Sequence, residues 1–156
     1  MTERTGGRQF PAIVFVLHDE LYAFEQFGTA TLLPWLQRYA QPSLVPSLPE
    51  WCLGVLNVRG TVQLVVDLGC LAGFGRSEIG DQARLIFLEH GTTQLGLVVD
   101  REIGMRTLRY ADVPAHGEIP FVSSGAQLGD GPVFVLDGSA ILLHVSGVLH
   151  APVAGA

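Results

Sequence analysis

The sequence predicts a duplicated all-β fold: two small antiparallel barrels that share one hydrophobic interface, with a short helix closing each half. Three observations point there. The chain repeats itself: Phe15 recurs as Phe87, 72 residues on, Gly54 and Gly60 as Gly125 and Gly131, 71 on, and Asp67 as Asp137, 70 on. The offset shrinks one residue at a time, as small loop deletions would make it. Each half thus reads hairpin, loop, hairpin, short helix, a tandem copy of one unit. Period-two alternation marks half-buried strands, with Val62, Leu64 and Val66 on one face and Thr61 and Gln63 on the other. Finally, VFVL (14–17) and LIFL (85–88) are apolar on both faces. A unit of about 70 residues has a marginal core alone, so such strands are expected to join the two units.

In order, residues 1–9 are expected to be frayed. Ala12–Leu17 and Leu21–Glu25 form a hairpin across His18-Asp19-Glu20. Leu33–Tyr39 fits a turn or two of helix with Pro34 at its first position, and Pro42, Pro46 and Pro49 keep the following stretch looped. Gly54–Leu68 then reads strand, turn, strand, with Gly60 supplying the positive φ of a tight turn. Asp67 caps a short helix over 67–72, and 73–81 is a polar, glycine-rich linker. Strands return at Gln82–Glu89, Gln94–Asp100 and Ile103–Leu108, with Tyr110–Pro120 as loop. A second hairpin, Val122–Leu128 with Pro132–Leu136, turns at Gly129-Asp130-Gly131, and Asp137 opens a last helix.

Composition narrows the function. Apolar residues make up 48% and charged residues only 15%, below the usual quarter. Two readings stay open: apolar surface held out for a partner, or two small cores to fill. The formal net charge of −6 argues against nucleic acid. All nine basic residues are Arg, which excludes Schiff-base chemistry and a phosphate-loop lysine. Cys52 and Cys70 fit neither a disulfide framework nor a metal site, and read as small hydrophobes in a reducing compartment. No run reaches the length of a membrane helix, and the N-terminus carries no signal core, so a cytoplasmic protein is expected.

The sequence carries no recognisable enzyme signature. Asp67 and Asp137, at equivalent repeat positions, suggest an aspartic-protease dyad, but the tripeptides Asp-Leu-Gly and Asp-Gly-Ser lack the required Asp-Thr/Ser-Gly. Helix capping is the plainer role, making both residues structural. The five histidines show no metal-binding spacing: His18 and His90 fall in equivalent turns, and His144 is expected partly buried. Ser123-Ser124 lacks a nucleophile elbow, and Gly73-Phe74-Gly75 lacks a dinucleotide fingerprint. No catalytic residue, cofactor or metal is expected. Arg59 is different. Turn tips normally carry short residues, whereas Arg is costly to order and offers a five-donor fork. A solvated tip and a polar anchor beside Val55, Leu56 and Val58 both remain open from the residues alone.

The segment VPSLPEWCLGVLNVRGTVQLVVDL (45–68) resembles the signature of the CheW-like domain family: a proline-containing approach, G-V-hydrophobic-N-hydrophobic-R-G, then an alternating strand ending in Asp-Leu. LGLVVDREIGM (95–105) and GAQLGDGPVFVLDGSAIL (125–142) resemble two further family segments, and the likeness runs from about Phe10 to Val145. Leu64 stands where the family often has Pro, and Gln26–Thr29 and Leu33–Tyr39 also depart from its pattern. The resemblance implies two five-stranded SH3-like barrels within one domain over 10–150. It divides this into about 24–75 and about 82–145, with the N-terminal strand a candidate for exchange, and leaves 151–156 as a tail. It implies a non-enzymatic scaffold coupling chemoreceptors to a CheA-type histidine kinase, in chemotaxis or pilus-type motility, with no direct membrane insertion. The groove between the barrels would hold the cytoplasmic tip of a methyl-accepting receptor, and one barrel end would meet the kinase regulatory domain. The partner-binding residues would be Arg59, Asn57, Val58, Gly60, Val55 and Leu56, with Val98 and Asp100 as further candidates, while Gly131 shapes the second turn. The alternatives are a module of the same fold serving other signalling partners and, last, an aspartic hydrolase using Asp67 and Asp137.

Overall fold

A computed structural model describes residues 8–26, 37–38, 42–58, 60–90, 93–112, 120–129 and 131–149. Ten strands and two helices follow one another: β1 (Gln9–Leu17), β2 (Glu20–Glu25), β3 (Gln37–Arg38), β4 (Cys52–Val58), β5 (Thr61–Asp67), α1 (Leu68–Leu71), β6 (Arg84–His90), β7 (Thr93–Val99), β8 (Arg101–Tyr110), β9 (Val122–Leu128), β10 (Gly131–Leu136) and α2 (Gly138–Leu149). The helix expected over Leu33–Tyr39 is not formed at Gln37–Arg38, which pair with β6 as an edge strand; the other residues of that stretch lie outside the described ones.

The strands make two sheets of five. One is a closed barrel in the order β1-β2-β10-β9-β8; the other runs β3-β6-β7-β5-β4. Matching the strands by repeat position, β1 with β6, β2 with β7, β3 with β8, β4 with β9 and β5 with β10, gives the same order in both. Neither sheet is one half of the sequence. Each takes its first hairpin from one repeat and its remaining strands from the other, so β6 and β7 (84–99) complete the sheet of β3–β5. The exchange takes in the whole β1–β2 hairpin together with its twin. Two parallel pairings knit the exchange, β10 with β2 (Phe134↔Tyr22) and β5 with β7 (Leu64↔Leu95). The first sheet closes through β8 and β9. Among the described residues the second has only the bridge Ser43↔Val55 along the outer edge of β4.

The strands that are apolar on both faces serve two cores. Phe10, Ala12 and Val14 of β1 point into the closed barrel, and Ile13, Phe15 and Leu17 point out of it toward the other sheet. There they meet Leu88, Leu95 and Leu97, and α2 seals the layer with Ile141, Leu142 and Val145. Val58, Val65, Leu85, Phe87 and Val98 fill the second barrel.

The caps repeat at a constant offset. The Asp67 carboxylate accepts the Cys70 N–H at 3.2 Å and the Asp137 carboxylate accepts the Ala140 N–H at 3.1 Å. The backbone N–H of each aspartate donates to an aromatic residue's carbonyl, Trp51 at 2.8 Å and Phe121 at 2.7 Å. Every pair is 70 residues apart. Asp67 does more than cap. It is buried, and its oxygens also accept the Ser77 N–H at 2.8 Å and the Ser77 hydroxyl at 2.6 Å, pinning the linker after α1. Asp137 is exposed.

Removing Asp67 should therefore cost more than removing Asp137. Asp67→Ala strands a cap and two linker donors and is expected to lose about 2–3 kcal/mol, whereas Asp137→Ala loses about 1 kcal/mol. Urea midpoints of the two variants check this, and equal losses would deny Asp67 its linker role.

Candidate functional site: the β4–β5 hairpin tip

The hairpin is an antiparallel pair in the register Val55↔Leu64, Leu56↔Gln63, Asn57↔Val62 and Val58↔Thr61. Residues opposite one another share a face. Val55, Asn57, Val62 and Leu64 therefore lie on the face that continues the inter-sheet core, while Leu56, Val58 and Gln63 lie on the face inside the second barrel. The alternation of β5 was read correctly, but the assignment of its solvent face needs correction. Gln63 is 8% exposed and Val62 is 65% exposed. The barrel covers the polar face, and the apolar face runs beyond the partner sheet at the tip.

The turn is built locally. Gly60 has φ +84, and its N–H donates to Asn57 Oδ1 at 2.9 Å, so Asn57 fastens the loop from the strand before it. Gly54 sets the other end of β4. Its φ is +134, beside a bulge between Cys52 and Gly54, and a Cβ there would lie 2.1 Å from the Ser43 carbonyl oxygen. Only glycine lets the 43–45 segment lie against β4. Ser43 then exchanges two backbone hydrogen bonds with Val55, at 2.9 and 3.0 Å, and Leu44 stands 86% exposed nearby. Val62, beside the turn, and Leu44, opposite Gly54 at the far end of β4, thus stand exposed on the hairpin. Arg59 itself lies outside the described residues.

The other named residues are placed as follows. Val55 and Leu56 are half-buried, Asn57 and Gly60 exposed, and Val58 buried in the barrel. Val98 does not join the tip. It is 2% exposed and pairs with Asp67, at the opposite end of β5. Asp100 lies two residues on, just past β7, and its carboxylate accepts the His18 N–H at 2.9 Å, so it links the two sheets. The His18 ring stacks on Phe74 with centroids 4.6 Å apart. His144 is exposed, flanked by Trp51 and Phe121. Gly131 opens β10, paired with Leu128. That pair matches Thr61 with Val58 at an offset of 70, so the glycine spacing of 71 misaligns the two turns. Arg59 stands at the place of Gly129, and Asp130, outside the described residues, at the place of Gly60.

Asp67 and Asp137 are not assembled into a dyad, because each carboxylate is turned to its own helix. Among the described residues no three His, Cys, Asp or Glu side chains are grouped to hold a metal ion, and no helix is long and apolar enough to cross a membrane. The two cysteines are free. Burial pushes the Cys52 thiol up, opposed by the Gly54 N–H. Burial also raises Cys70, helped by the negative Asp67 and Glu50 and opposed by Arg76.

Paired barrels made by duplication, with one hairpin turn that carries arginine in the sequence, define a class of small β modules. The CheW-like domain model matches residues 11–146, and the chain belongs to that family. It is 26% identical to the chemotaxis protein CheW of Bacillus subtilis (strain 168) over 106 residues, 68% of this chain and 65% of that protein. It is 36% identical over 69 residues, 44% of the chain, to protein PilI of Pseudomonas aeruginosa, and 33% over 69 residues, again 44%, to protein FrzA of Myxococcus xanthus. Those stretches span 37% and 43% of the two relatives, so the matches cover less than two thirds of all three proteins. The solved scaffolding protein TtCheW from Thermoanaerobacter tengcongensis superposes with a TM-score of 0.70 at 23% identity, over 83% of this chain and 90% of that one. That likeness is one of fold, and it agrees with the two SH3-like barrels expected.

The raised thiols give a pH test. A raised pKa keeps the neutral thiol in the pH range where an ordinary one has ionised, and only the thiolate attacks. At about pH 8 the native protein should react with an aromatic disulfide reagent more slowly than the urea-unfolded chain, and should catch up only at higher pH. Equal rates at about pH 8 would mean accessible, ordinary thiols.

Proposed function

We propose that this chain is a non-enzymatic scaffold that couples chemoreceptors to a CheA-type histidine kinase in a chemosensory pathway, working in the cytoplasm beside receptor arrays at the inner membrane. The observation that carries this is the β4–β5 tip. Val62, two residues after the turn glycine Gly60, holds apolar surface out to solvent, and exposed apolar side chains combined in one hairpin with a many-donor residue such as Arg59 have the composition of a protein-binding hot spot. Its relatives support the same direction: one bears the name of a chemotaxis protein, and the solved chain of like fold is titled a scaffolding protein. In this reading the tip and the adjoining barrel end meet the kinase regulatory domain, and the groove between the sheets takes the receptor tip.

Co-purification with a cognate kinase regulatory domain and a receptor tip is the test. Arg59→Glu should retain the native far-UV spectrum and weaken binding by roughly thirtyfold or more. Normal binding by that variant would remove the tip from the interface. Binding to the kinase without any receptor tip would instead make the chain a module for other signalling partners.

A further inference from the structure

Gln63 lies inside the second barrel, 8% exposed, and its side-chain carbonyl oxygen is buried with no hydrogen-bond partner. An unmet acceptor in such a place is costly. The fold does not require it. At the matching position of the first barrel, 70 residues on, stands Val133, fully buried among apolar neighbours. A polar group has been placed in one barrel where its twin is filled by a methyl-bearing side chain.

Gln63 also lines a cavity of about 160 Å³. The cavity lies at the end of the barrel where β5 and β7 begin, and Val58, Thr61, Phe87, Leu88, Glu89 and Gln94 complete its wall. Phe87 can lie there because Gly96 opposite has no side chain; a Cβ would come within 3.2 Å of the ring. Cofactor and small-molecule pockets start at roughly 300 Å³, so this one suits a single side chain. Its chemistry selects which. Val58 and Phe87 offer apolar walls, and the polar groups include two acceptors, the Gln63 oxygen and the Glu89 carboxylate, in a chain of net charge −6.

We propose that this cavity receives one basic side chain, arginine or lysine, from the kinase regulatory domain, and that Gln63 is a specificity-determining residue of that contact. The inference rests on the scaffold reading above. The methylene stem packs on Val58 and Phe87, and the cationic head donates to Gln63 Oε1 near Glu89, which discriminates against partners with an apolar residue there.

The test is a titration of the cognate regulatory domain against wild type, Gln63→Leu and Glu89→Gln, with thermal melts of each. Gln63→Leu keeps the volume and removes the unmet acceptor. It should melt higher than wild type and yet bind about tenfold or more weakly, because the partner's charged donor is then buried unpaired. Glu89→Gln should bind less tightly and with a shallower salt dependence. Gln63→Met replaces Gln63→Leu if the latter loses its native far-UV spectrum. A higher melting temperature with binding within twofold of wild type would overturn the inference, leaving Gln63 as a site for a water molecule only. Absence of binding by wild type would overturn the scaffold reading, and this inference with it.

Discussion

Everything in this fold depends on the hydrophobic layer between the two sheets. Among the described residues its buried cluster contains eighteen, against nine inside the closed barrel and six inside the second. The shared layer is therefore larger than either interior, and neither sheet could be exposed on that face and remain folded. Exchange of the first hairpins makes the dependence stricter. β1 contributes one face to its barrel and the other to the shared layer, and β2 and β7 each pair in parallel with a strand of the other repeat. Cut apart between the repeats, each sheet would lose a two-stranded hairpin and the buried side chains it carries, so the two repeats must fold as one body.

That frame is symmetric, and the symmetry makes the departures informative. Where both repeats need the same thing they carry the same residue: an aspartate that caps its helix and whose N–H reaches an aromatic residue's carbonyl. Where they differ, the frame is indifferent. Asp67 also binds Ser77, which holds the linker from α1 to β6. The tips also differ, Arg59-Gly60 in one and Gly129-Asp130 in the other, as do the barrel positions Gln63 and Val133. Both of the latter differences fall at one end of the same barrel, and neither improves packing.

Local features were legible in the sequence because they are written in local chemistry. Alternation located the strands, aspartates located the helix starts, and glycine located the turns. The exchanged hairpins were legible only in part, since which strands pair across a long connection leaves no periodicity in either. Gln63 was misread for a physical reason. Beside three valines and a leucine in β5 a glutamine reads as the solvent side, but a strand with a barrel on one face and a partner sheet on the other has no solvent side along most of its length. The same double cover explains why Val98, which the family likeness offered as a contact, is core. The turn register slipped by one because glycines were aligned as residues, although each turn uses its positive φ at a different place in the loop, Gly60 in one and Gly129 in the other.

The exposure of Leu44 along β4 has a cause that no hydrophobic pattern shows. Leu44 sits in a proline-rich stretch with no strand of its own, and it reaches β4 because Gly54 lacks a Cβ. A side chain at that position would push the Ser43 carbonyl away, break both hydrogen bonds to Val55, and carry Leu44 off the hairpin. The position of Leu44 thus depends on backbone contact rather than side-chain packing. A segment held by backbone hydrogen bonds can stay exposed without collapsing into the core, because its position does not require its side chains to be buried. The same glycine that shapes the strand therefore keeps Leu44 in the solvent against the outer edge of β4.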